Sequence, residues 1–135
     1  MPQLHLAAHL EEPKTSIGKP ITFPTKGQVI KPETAVQITE ALKLVTKEGG
    51  TAPKAAVPGC EVAGKTGTAQ KVENGKYIDE YVASFIGYAP ADAPAFVLLI
   101  AVDAPSKGGY YGGVVAAPTF SRIASQSLPA LKPAR

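Results

Sequence analysis

The tetrapeptide Glu73-Asn74-Gly75-Lys76 limits the folds open to this chain more than any other feature. Asn-Gly supplies the two positive φ angles that a two-residue hairpin loop needs, and here it separates two runs of strand character. The first run extends from Val62 to Val72 and the second from Tyr77 to Tyr88. Strands joined this tightly must be antiparallel neighbours. A third run, Phe96-Val97-Leu98-Leu99-Ile100-Ala101-Val102, follows the turn Pro90-Ala91-Asp92-Ala93-Pro94. It is apolar at consecutive positions, as expected of a central strand covered on both faces. The pattern predicts a three-stranded antiparallel meander.

A helix is predicted on either side of it. Pro32 opens the first, where a missing N–H costs nothing, and Glu33 in the first turn suits the helix dipole. Ala35, Ile38, Leu42 and Val45 recur at helical spacing and read as core scaffold; Gly49-Gly50 stops the helix. After the glycine-rich stretch Gly108-Gly109-Tyr110-Tyr111-Gly112-Gly113, Pro118 starts the last helix, with Phe120, Ile123, Ala124 and Leu128 as its buried stripe. The first thirty residues are punctuated by Pro2, Pro13, Pro20 and Pro24, with apolar islands at 21–23 and 29–30, and read as loop with short strands. The 135 residues thus divide into an irregular lead-in (1–30), one α+β section (31–130) and a frayed tail (131–135).

Composition removes several functions. The net charge is +3, but Lys14, Lys19, Lys26, Lys31, Lys43, Lys47 and Lys54 are scattered, without a basic run or interleaved aromatics. They read as a solvated surface that suits an anionic wall or membrane surface, and no nucleic-acid partner is expected. Cys60 stands alone, so no intramolecular disulfide can form, and it reads as a small apolar filler. His5 and His9 lie in a strand-like stretch with no carboxylate cluster; neither a metal nor any other cofactor is expected. No run reaches the ~18 apolar residues of a membrane span, and no signal peptide opens the chain.

The chemistry-bearing residues are Ala63-Gly64-Lys65-Thr66-Gly67-Thr68-Ala69-Gln70, on the first strand of the meander. A lone Lys-Thr-Gly triplet is weak, but it does not stand alone here. With Gly49-Gly50-Thr51, with Ala83-Ser84-Phe85-Ile86-Gly87-Tyr88-Ala89-Pro90-Ala91-Asp92, and with Tyr111-Gly112-Gly113-Val114-Val115-Ala116-Ala117-Pro118, it forms four blocks in order. In these blocks the chain from about Val29 to Leu128 resembles the C-terminal section of the transpeptidase domain of class B, division-type penicillin-binding proteins. The resemblance implies part of the penicillin-binding/serine β-lactamase-like fold, and peptidoglycan stem peptides and β-lactams as ligands. It also implies a parent protein on the outer face of the cytoplasmic membrane.

The family's site joins a Ser-x-x-Lys nucleophile motif, a Ser-x-Asn and a Lys-Thr-Gly strand. By that likeness Lys65 aims a positive charge at the substrate carboxylate, and Thr66 and Thr68 offer it hydroxyls. Gly67 lets substrate lie close to the strand, and the Thr68 N–H forms half of the oxyanion hole. Ser16-Ile17-Gly18-Lys19 matches Ser-x-x-Lys in letters only, since Gly18 and Pro20 oppose the helical turn that would bring lysine to serine; no Ser-x-Asn occurs. The nucleophile, the membrane anchor and the strands that pair with 96–102 are therefore expected in a missing N-terminal part of the transpeptidase domain, preceding Met1. The chain alone is expected to be inactive, with an unpaired apolar edge. Two other readings share these residues: a piece of a serine β-lactamase, and a non-catalytic module that binds wall peptide or completes a partner's sheet.

Overall fold

The computed structural model describes residues 29–131. Ser16, the two histidines, the islands at 21–23 and most of the 131–135 tail lie outside them. Helix α1 (Pro32–Leu44) leads into a 3-10 turn (Pro53–Ala55) and three strands, β1 (Ala63–Glu73), β2 (Lys76–Ala89) and β3 (Phe96–Asp103). A short helix α2 (Gly112–Val115), a longer α3 (Ala117–Ser127) and a last 3-10 turn (Leu128–Ala130) follow. The sheet order is β1-β2-β3, antiparallel throughout, so both β1 and β3 are edges among the described residues. Asn74 (φ 50°) and Gly75 (φ 77°) form the two-residue loop with both angles positive, which is why the sequence needs Asn-Gly there.

The core is built of small residues around two large ones. Phe85 from β2 and Phe120 from α3 are fully buried and meet edge to face at 4.9 Å. Ala52, Ala55, Ala89, Ala116, Ala117 and Ala124 close around them. Gly64 and Gly87 make room for the rings: a Cβ on Gly64 would stand 2.5 Å from Phe85 Cζ, and one on Gly87 2.8 Å from Phe85 Cε1. The pair Gly112-Gly113, at the end of the glycine-rich stretch, opens α2. Its backbone passes so close to the carbonyls of Ser84 and Thr51 that only glycine fits there.

Helix α1 docks by a different side from the one its apolar periodicity suggests. Its inward side is polar: Thr39 and Lys43, followed by Thr46 just past the helix end, at i, i+4 and i+7. The Thr39 hydroxyl lies 2.8 Å from the Tyr88 hydroxyl, and the Thr46 hydroxyl donates to the Val62 carbonyl at 3.0 Å. Of the expected stripe, Val45 packs on the core and Leu42 is half-buried, but Ile38 is exposed, as are Val36 and Leu44. Strand β3 shows the same one-sidedness. Phe96, Leu98 and Ile100 pack toward the core, while Val97 and Leu99 on the other face are each 57% exposed. Only one face of that strand is covered among the described residues.

The reading of Lys43 as a solvated lysine is corrected. Its side chain is only 11% exposed, and its ammonium meets Glu61 at 2.7 Å, Glu40 at 3.0 Å and Asp92 at 3.3 Å. It is buried because α1 must cross both the approach to β1 and the turn after β2, and the carboxylates of those segments make that burial tolerable. Lys47 joins through Glu61 at 2.9 Å. Contact with Lys43 first, then Lys47, holds the Glu61 carboxyl at about 2 instead of its ordinary 4.5, and Glu61 first raises the Lys43 ammonium above its usual range. A depressed carboxylate contributes stability that is present above its ordinary value and lost as pH falls through the folded one. The structure therefore weakens between about pH 4.5 and 2, and Glu61→Gln flattens that decline in acid titration followed by circular dichroism. An equally steep decline in the variant would assign the acid sensitivity elsewhere.

Candidate active-site strand

Lys65, Thr66, Gly67 and Thr68 stand on β1, opposite Ile86, Phe85, Ser84 and Ala83 of β2. The other side of β1 carries no strand among the described residues. Strand alternation puts Lys65 and Gly67 on one face and Thr66 and Thr68 on the other. The exposed Lys65 ammonium donates to the Thr66 carbonyl at 3.0 Å, reaching it from the open edge. In an antiparallel strand every second residue turns its N–H and C=O to the same side, so the Thr68 N–H also points out of that edge. A row of main-chain groups, one ammonium and two hydroxyls thus lines the strand's open edge.

Both hydroxyls are held from outside the strand. The Thr66 Oγ1 lies 3.3 Å from the Thr51 Oγ1, and the Gly112 N–H donates to the Thr68 Oγ1 at 3.3 Å. An oxygen that already accepts from an amide has its own proton free to donate to an incoming anion. Gly67 has a steric reason in addition to the expected one, because a Cβ there would stand 2.5 Å from the Ser84 Oγ.

Next to these residues lies a feature that the sequence reading missed. Tyr81 stacks on Tyr110 at 4.2 Å with 14° between planes, and Tyr110 meets Tyr111 at 4.5 Å, hydroxyls 3.3 Å apart. Tyr81 pairs with Gln70, two residues beyond Thr68, so the aromatic wall stands on β2 beside the strand that carries these residues. Two adjacent aromatics between glycine pairs were its only sequence signal. The Tyr111 hydroxyl first, and then burial, pushes the Tyr110 phenol above its ordinary range. Cys60 sits half-buried against the core, as a filler should, and burial raises its thiol and disfavours the reactive thiolate. No cluster among the described residues could hold a metal ion.

Residues 2–125 match the penicillin binding protein transpeptidase domain family. The chain is 45% identical over 114 residues to the probable peptidoglycan D,D-transpeptidase PenA of Neisseria flavescens, covering 84% of this chain and 28% of that protein. In three dimensions it is similar to the transpeptidase domain of Burkholderia pseudomallei penicillin-binding protein 3, with a TM-score of 0.72 and 42% identity over 87% of this chain and 35% of that one. It is also similar to Mycobacterium tuberculosis penicillin-binding protein 3 complexed with ampicillin, with a TM-score of 0.69 and 35% identity over 84% of this chain and 28% of that one. The chain belongs to the penicillin-binding transpeptidase family and has that family's mixed helix and antiparallel-sheet fold. It spans about a third or less of the proteins it matches. No helix among the described residues is long and apolar enough to cross a membrane.

Proposed function

We propose that this chain is the carboxylate-gripping section of a D,D-transpeptidase that cross-links peptidoglycan through a serine acyl-enzyme, with the serine supplied from elsewhere in the protein. The open edge of β1 carries this reading: Lys65, Thr66 and Thr68 line it with donors, and nothing described occupies it. A stem peptide ending in a carboxylate, or a β-lactam that mimics it, lies along that edge. Its carboxylate meets the Lys65 ammonium and the two threonine hydroxyls, and Gly67 keeps the strand clear of bulk. The carbonyl under attack places its growing negative charge against the Thr68 N–H, one half of the oxyanion hole. The other half comes with the nucleophile's own amide.

The exposed apolar residues of α1 (Val36, Ile38, Leu44) and of β3 (Val97, Leu99) support the second part of the proposal. Apolar surface of this kind, next to an unpaired strand edge, is what a partner element of the same domain covers. The complete protein works at the outer face of the cytoplasmic membrane, where its substrate lies. Intact-mass spectrometry after incubation with a penicillin tests the reading. The chain alone is expected to show no adduct, and the complete protein a stoichiometric one. A stoichiometric adduct on the chain alone would overturn the division of labour, and Ser16 is then the first residue to replace.

A further inference from the structure

The blocks Gly49-Gly50-Thr51 and Tyr111-Gly112-Gly113 meet at Thr51, whose hydroxyl lies beside that of Thr66. Gly49 (φ 80°) lies in the turn that follows α1, and Gly50 folds back so closely that a Cβ there would overlap the carbonyls of Leu44 and Val45. The Ala52 N–H then donates to the Val45 carbonyl at 2.8 Å. Thr51, fixed between these two anchors, puts its Oγ1 3.3 Å from the Thr66 Oγ1. From the other side Gly113 lies directly on the Thr51 carbonyl, where any Cβ would clash, while the adjacent Gly112 holds Thr68. A helix stop and a two-glycine helix start are thus both built around one threonine.

We infer that Thr51 is a positioning residue for substrate carboxylate binding, acting through Thr66; this rests on the reading of β1 given above. Either hydroxyl can donate across that 3.3 Å contact; the positioning role takes Thr51 as the donor, which leaves the Thr66 proton free to donate to the carboxylate. A hydroxyl that both accepts and donates is polarised and becomes the better donor. Without Thr51 the Thr66 hydroxyl loses its anchor and turns among its rotamers, so part of its contact with the anion is lost.

The test compares a penicillin with its methyl ester, which lacks the anionic carboxylate, in acylation of the complete transpeptidase that carries this chain. Thr51→Val is expected to slow acylation by the free acid about three- to tenfold, the worth of one neutral hydrogen bond. It leaves the ester rate unchanged, and Thr51→Ser restores the acid rate. A purely structural role would slow acid and ester alike and resist rescue by serine; that result overturns the inference. If Thr66→Val slows the acid selectively but Thr51→Val does not, the reading of β1 stands and the role of Thr51 falls. If Thr66→Val slows neither, the reading of β1 falls and takes this inference with it.

Discussion

Phe120→Ala is expected to cost about 3–5 kcal/mol of folding stability, the upper range for truncating a buried aromatic. The reason lies in its surroundings. The ring is fully buried, edge to face on Phe85 at 4.9 Å and 6.3 Å from Phe96. Its other neighbours are mostly alanines, and Gly87 lies directly beneath it. Alanine and glycine have no side-chain freedom with which to move into the space, so the cavity stays open. Lost transfer energy and an unfilled void then add. Against a typical total of about 5–15 kcal/mol, the loss leaves little or no cooperative transition. Urea unfolding followed by circular dichroism reads it directly. A shift of less than about 1 kcal/mol would mean that the two-phenylalanine core does not hold the helix to the sheet. Phe120→Leu retains part of the packing and falls between.

The difference between what the chain's letters disclosed and what they hid has a physical pattern. The meander was legible because each of its parts is local: Asn74-Gly75 dictates a loop geometry, and the flanking runs alternate or saturate with apolar residues. The Lys-Thr-Gly strand was legible because it lies on the first run of that hairpin; its register was not, since a bulge between Gln70 and Val72 shifts it against β2. The docking side of α1 was not, since two of the three carboxylates that hold Lys43, Glu61 and Asp92, lie 18 and 49 positions away. Periodicity correctly found an apolar stripe at Ala35, Ile38, Leu42 and Val45, but could not say whether the described part of the fold would cover it. Helix α2 was hidden for a related reason. Gly112 and Gly113 look like loop residues until the carbonyls of Ser84 and Thr51 are seen against them, and that contact is long-range. The tyrosine wall has the same character, because Tyr81 and Tyr110 come together only when β2 and the segment before α2 are folded. Local chemistry was readable; chemistry assembled across distant segments was not.

Replacing Lys65 with glutamine in the complete transpeptidase is expected to slow acylation by a penicillin about ten- to hundredfold. A hydrogen bond to a charged group contributes roughly 1.5–3 kcal/mol, which corresponds to that range of rates. Glutamine keeps a donor at similar reach but removes the charge, so the deficit isolates the ion-pairing part of the contact. Stability is expected to change by no more than about 0.5 kcal/mol, since Lys65 is exposed and its one described bond is to the neighbouring Thr66 carbonyl. That separation makes the experiment decisive: a slow variant with an unchanged melt places the loss in the site. Lys65→Arg keeps the charge but enlarges the head and changes its geometry, so it recovers only part of the rate. The methyl ester of the same penicillin is expected to react nearly equally with wild type and Lys65→Gln, because neither then has an anion to bind. An acid rate within twofold of wild type would mean that the β1 edge does not grip the carboxylate. The four donors aligned there would then need another ligand.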